Sequence, residues 1–109
     1  MQNKQLLEFV LDKIDDLKAR DIETIDVAAT SSITDYMVIC SGNSKKHVQS
    51  IADHAALEAK QADEPALGLE GMEEGEWVLV DFGSVILHVM QDSTRDFYQL
   101  EKLWQDAKN

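Results

Sequence analysis

The stretch that decides the fold lies between residues 77 and 90 and reads WVLVDFGSVILHVM. Two runs of β-branched and other apolar residues flank Gly83-Ser84, and glycine in the first turn position is typical of a two-residue type II′ loop. The sequence therefore predicts a β-hairpin whose strands span residues 76–81 and 85–91.

The two faces of this hairpin differ in character, because side chains alternate between the faces of a strand. One face is wholly apolar and is predicted to be core: Val78, Val80, Phe82, Val85, Leu87 and Val89. The other face, here called the mixed face, combines large apolar groups with a carboxylate and an imidazole: Trp77, Leu79, Asp81, Ile86, His88 and Met90.

The mixed face has two interpretations. As an exposed docking surface, it would use Trp77 and Met90 as apolar anchors, since both residue types are enriched at interface cores. Asp81 would then face a basic group of the partner and His88 would make one orienting hydrogen bond. The last helix around Tyr98 is the other candidate location for the docking surface. Alternatively, a helix covers the face and Asp81 pairs with His88 inside the fold.

Hydrophobic periodicity predicts the rest of the chain. The run from Tyr36 to Cys40 is continuously apolar, which indicates a strand buried on both faces at the centre of the sheet. A last helix should start at residue 92 and turn Phe97, Leu100 and Trp104 inward. The other elements are predicted as helices over 3–19 and 45–62 and strands over 21–28, 33–41 and 67–71. The order αββαβββα indicates the α/β class, with a mixed sheet covered by helices in a single domain over residues 1–109.

Composition excludes several classes of protein. A chain of 109 residues suits one domain, and its single cysteine allows neither a disulfide framework nor a thiolate zinc site. The formal charge of −11 argues against a DNA or RNA binder, which needs clustered Lys and Arg, and favours a basic partner. We also expect no membrane partner. The N-terminal residues do not resemble a signal peptide, so a cytoplasmic location is expected.

An enzyme is not expected either. Nucleotidyl transfer needs metal ions held by spaced carboxylates, and the sequence has no Asp-x-Asp pair. His47 and His54 lie two helical turns apart, about 10.5 Å along the axis, which is too far for one metal ion. The mixed face offers no nucleophile beside His88. We therefore expect no cofactor, no metal and no catalytic residue, and keep a nucleotidyltransferase-fold enzyme or a homodimeric adaptor as the alternatives.

Five co-linear segments carry a family resemblance along essentially the whole chain. They are residues 12–18 (DKIDDLK), 31–42 (SSITDYMVICSG), 47–52 (HVQSIA), the hairpin 77–90 and 98–104 (YQLEKLW). Together they resemble the ribosomal silencing factor family, also called Iojap-like.

This resemblance implies a specific role. Members of the family bind the large ribosomal subunit through its universal protein fourteen, where the small subunit would otherwise dock. They thereby prevent subunit joining and repress translation when nutrients are short. The family fold is similar to that of nucleotidyltransferases, without their activity. Self-association could mask exposed apolar sheet surface, so a homodimer of the free protein that opens to bind the ribosome is compatible with this role. The acidic charge is consistent with a basic ribosomal protein as partner.

Overall fold

Four helices and five strands lie in residues 1–108, whose backbone the computed structural model describes; side chains are described for residues 1–104. The elements are α1 (Asn3–Asp16), β1 (Arg20–Asp26), β2 (Tyr36–Gly42), α2 (Lys45–Gln61), β3 (Gly68–Glu70), β4 (Trp77–Asp81), β5 (Val85–Gln91), α3 (Asp92–Tyr98) and α4 (Leu100–Lys108). The α/β class and the element order are confirmed, except that the predicted last helix is two helices. No helix in this described part combines the length and apolar character needed to cross a membrane.

The strands form one mixed sheet in the order β1-β2-β5-β4-β3. β2 and β5 run parallel, and the other pairs are antiparallel. β2 has neighbours on both sides, and Val38, Ile39 and Cys40 are fully buried, as the continuous apolar run predicted. Burial raises the pKa of Cys40 to about 12, so this thiol stays protonated and packs as a small core residue.

The predicted hairpin and its register are confirmed. The Phe82 amide donates to the Val85 carbonyl at 2.9 Å, which leaves Gly83-Ser84 as a two-residue loop. Gly83 has a φ of 92°, a conformation that glycine adopts without steric cost. In β4 and β5, Trp77 therefore lies opposite Met90, Leu79 opposite His88 and Asp81 opposite Ile86.

Helices α1 and α2 cover the apolar face of the hairpin. All six predicted core residues are buried there, in one cluster with α1 and α2. The small side chains of Ala52, Ala55 and Ala59 let α2 lie close to the sheet. Ser44 caps α2, since its hydroxyl accepts from the His47 amide at 3.1 Å. This side of the sheet is the main core.

The C-terminal helix is broken at Gln99, whose φ of 47° lies in the left-handed region. The break changes the helical phase, so Leu100 and Trp104 of α4 pack on the second sheet face while Phe97 points outward and is 80% exposed. The prediction that Phe97 shares an inner face with Leu100 and Trp104 is therefore wrong. A single uninterrupted helix was assumed, and one left-handed residue invalidates that assumption.

Candidate partner-binding surface

The mixed face is covered over one part and open over another. Leu100 and Trp104 of α4 cover the part that adjoins β1 and β2. There they join a buried cluster with Ile25, Val27, Met37, Ile39 and Met90. The mixed-face side chains of β4, Trp77, Leu79 and Asp81, stay half-buried, as does Ile86 on β5. The interpretation of a covering helix therefore holds for the part around Met90, whereas the docking surface stays a prediction for the part that is open.

The structure separates the seven predicted contact residues into two groups. Trp77, Leu79, Asp81 and Ile86 are half-buried, and Tyr98 is 54% exposed. Together these five residues form what we call the open surface.

His88 and Met90 are buried, at 5% and 0% exposure, which corrects the expectation that they lie on an exposed surface. Met90 is covered because α4 and Trp77 pack against its cluster. His88 lies on β5, the hairpin strand inside the sheet, between Leu79 of β4 and Ile39 of β2. These two residues support the open surface from behind instead of reaching a partner.

His88 holds the indole ring of Trp77. Trp77 Nε1 donates to His88 Nδ1 at 2.9 Å, and the two ring centroids lie 5.8 Å apart. An indole nitrogen only donates, so Nδ1 is the acceptor and the neutral ring carries its proton on Nε2. Burial lowers the pKa of His88 to about 4, so the ring is neutral at pH 7. The Trp77 ring is therefore fixed by a neutral, buried acceptor.

Asp81 does not take His88 as its partner. Its Oδ1 instead accepts from the Gly83 amide at 2.7 Å, which fastens the hairpin loop. The alternative that Asp81 and His88 pair inside the fold is wrong on this point. The carboxylate stays half-buried on the open surface and contributes negative charge there.

An aromatic ridge continues the open surface onto the C-terminal helices. The ring of Tyr98 lies 5.0 Å from that of Trp77 and 5.0 Å from that of Phe97, measured between centroids. Phe97 is 80% exposed and Leu103, on α4, is 64% exposed. Phe97 and Leu103 were missed as candidate contact residues. The signal was present, because large apolar residues at 97, 98, 100, 103 and 104 are too many for one face of one helix.

A polar network ties the ridge to the sheet. Arg95 of α3 is buried, and its Nη1 donates to Ser41 Oγ at 2.8 Å while its Nε donates to Glu101 Oε1 at 3.2 Å. Beside it, Arg20 pairs with Asp92 at 2.8 Å. These groups line a polar cleft of about 440 Å³. Arg95 thus joins α3, α4 and β2, which fixes the helices that carry Tyr98 and Leu103.

The remaining histidines have structural partners. His47 Nδ1 accepts from the Asn43 amide at 2.8 Å, and its Nε2 lies 2.7 Å from the Leu17 carbonyl oxygen. His54 pairs with Asp16 at 3.0 Å. Within the described residues, no three His, Cys, Asp or Glu side chains cluster closely enough to hold a metal ion. What the arrangement offers chemically is a contact surface of aromatic, aliphatic and acidic groups.

Comparisons of this chain with known proteins agree on one family. The family model described as ribosomal silencing factor during starvation matches residues 1–109. A ribosomal silencing factor RsfS from Haemophilus influenzae is 46% identical over 99 residues, covering 91% of this chain and 97% of that protein. A mouse protein named mitochondrial assembly of ribosomal large subunit protein 1 is 39% identical over 79% of this chain and 39% of its own length.

The fold agrees with an experimental relative as well. A crystal structure of a protein from Chromobacterium violaceum superposes with a TM-score of 0.94 at 34% identity, covering 96% of this chain and 88% of that one. The resemblance inferred from the five sequence segments is confirmed. Because the family model matches the whole chain and close relatives align over nearly all of it, this chain belongs to the ribosomal silencing factor family.

Proposed function

We propose that this chain binds the large ribosomal subunit through universal protein fourteen, prevents joining of the small subunit and so represses translation when nutrients are short. The observation that carries the proposal is the open surface, which presents Trp77, Leu79, Ile86 and Tyr98 to solvent on a chain of this family. In this role the protein acts in the cytoplasm, where subunits join, and needs no catalytic residue.

The geometry of the open surface supports a protein partner. Trp77 is held by His88 and by contact with Tyr98, so its ring is ordered before any partner arrives. An anchor that is already fixed loses less conformational entropy on binding. The neighbouring ridge exposes Phe97 and Leu103, and exposed apolar groups in such a contiguous patch mark interaction sites.

Charge supports a basic protein rather than RNA as the target. The chain carries 21 acidic and 10 basic residues, and Glu70 is exposed beside Trp77 and Leu79 of the open surface. Such a surface attracts a basic protein over long range and is repelled by RNA phosphates. The name of the mouse relative, which refers to the ribosomal large subunit, agrees with the proposed partner.

Substitution of Trp77 tests the proposed surface. Trp77→Ala should weaken binding to purified large subunits by about 2–4 kcal/mol, roughly 30- to 1,000-fold, as expected for a central aromatic anchor. Leu57→Ala is the matched control, because Leu57 is 49% exposed on α2, which packs on the opposite face of the sheet. Normal melting and normal binding of Trp77→Ala would place the dock elsewhere, and unfolding would assign Trp77 to the core.

A joining assay tests the proposed activity itself. Saturating protein, added to separated subunits before magnesium-driven association, should leave free large subunits on a sucrose gradient. It should also slow cell-free translation. Normal joining despite demonstrated binding contradicts the proposed function. The open surface is also where two free copies would associate, so a homodimer stays a prediction that sedimentation can test.

A further inference from the structure

A cleft opens beside the indole ring at the outer edge of the open surface. It is lined by Glu70, Gly71, Trp77 and Leu79 and has a volume of about 260 Å³. Glu70 on edge strand β3 lies directly opposite Leu79 on β4. Gly71 has a φ of 88°, and a Cβ there would collide with the Trp77 carbonyl oxygen, so that wall of the cleft consists of bare backbone.

The lining groups favour a long cationic side chain as occupant. Leu79 and the Trp77 ring offer apolar surface for a methylene stem, and long basic side chains bury such stems while their charged ends stay polar. The face of an indole ring attracts a cation within about 6 Å. Glu70 adds a carboxylate, which a basic group contacts through a charge-assisted hydrogen bond.

The local charge excludes the other classes of occupant. The side chain of Glu70 is exposed, and its carboxylate makes no hydrogen bond or ion pair with the side chains that the structure describes. Asp81 lies two residues beyond Leu79 on the same face and adds a second negative charge. An anionic group would be repelled by both carboxylates, and a purely apolar side chain would leave Glu70 without a partner.

We propose that this cleft receives one lysine or arginine side chain of the basic ribosomal protein and thereby sets the register in which that partner docks. The proposal rests on the proposed function and adds a specificity site to it. Trp77 and Leu79 form the walls, and Glu70 supplies the charge that selects a cation. Because His88 fixes the indole ring, the cleft is formed before the partner binds.

Glu70→Gln and its control Glu73→Gln form the matched pair of variants that tests whether the cleft receives a cation. Both substitutions remove one exposed carboxylate, but Glu73 lies in the turn after Gly71 and does not line the cleft. Binding to purified large subunits and to isolated ribosomal protein fourteen is measured by fluorescence anisotropy at low and high salt. Glu70→Gln should weaken binding about five- to ten-fold at low salt, whereas Glu73→Gln should change it less than two-fold.

The outcomes separate this proposal from the proposed function. Both variants should melt close to the original chain, because surface substitutions at exposed sites rarely change stability. Glu70→Arg, which repels the cation directly, should weaken binding more than Glu70→Gln does. If the original chain binds and both Glu→Gln variants bind equally well, the cation cleft is overturned while the proposed function stands. If the original chain binds neither target, the proposed function falls.

Discussion

The buried ring of His88 should make the fold less stable as the pH falls from 7 to 5. Burial lowers the pKa of His88 from 6.5 to about 4 in the folded chain. Between these values the unfolded chain binds a proton that the folded chain excludes, so acid favours unfolding. The contribution of the neutral His88 ring to the free energy of unfolding is fully present above the unfolded pKa. About 3 kcal/mol of it is lost once the pH is below both pKa values. About 2 kcal/mol of this should be lost between pH 7 and pH 5.

His88→Asn is the matched variant for this measurement. An asparagine amide oxygen can take the place of Nδ1 and accept from Trp77, but it does not gain a proton. Urea unfolding is followed by far-UV circular dichroism at pH 7 and pH 5, which both lie above the isoelectric point of about 4.4. Every other ionisable group is the same in the two proteins, so the difference between their two losses of stability isolates His88.

The original chain should lose about 2 kcal/mol more than His88→Asn over this interval. Equal losses in the two proteins would refute the reasoning that burial keeps the His88 ring neutral. A larger loss in His88→Asn would contradict it too. The protonation state tested in this way is the one in which His88 Nδ1 can accept from Trp77 Nε1.

Three further predictions concern the core residue Leu87, the backbone at Gly71 and the polar network of Arg95. Leu87→Ala, on the face covered by α1 and α2, should lower the free energy of unfolding in urea by about 2–5 kcal/mol, with large-subunit binding intact in the folded fraction. Gly71→Ala should melt at a much lower temperature, because its φ is 88° and the new Cβ would collide with the Trp77 carbonyl oxygen. Gly68→Ala is the control: its Cβ has ordinary clearance, so its free energy of unfolding should stay within about 1 kcal/mol of that of the original chain. Equal melting temperatures of the two variants would contradict this account. Arg95→Met should cost about 2–4 kcal/mol in thermal unfolding, since its buried hydrogen-bond partners lose their donor, and an unchanged melting temperature would show that the network adds no stability.

Local chemistry made the hairpin and the central strand predictable. Gly83-Ser84 defines the loop, and period-two alternation then assigns each hairpin residue to a face without knowledge of the rest of the chain. The run from Tyr36 to Cys40 likewise indicated a strand buried on both faces, which β2 is. These features depend on neighbours within a few residues, so the sequence contains all the information they need.

The C-terminal helices show where local reasoning stops. Leu100 and Trp104 face the sheet as predicted, but a left-handed residue at Gln99 divides the predicted helix and leaves Phe97, before the break, on the outside. A non-glycine residue in this conformation is uncommon, and periodicity does not reveal it. The exposure of Phe97 and Leu103 follows from that one backbone angle.

The sequence by itself determined the family, the α/β class and the division of the hairpin into an apolar and a mixed face. Only the tertiary structure decided that Met90 and His88 lie buried while Trp77, Leu79 and Ile86 stay partly open. The physical reason is the range of the interactions. Alternation along a strand is set by backbone geometry within a few residues. Burial of the mixed face depends instead on how far α4, which packs over β1 on the side of the sheet away from β4, reaches across it.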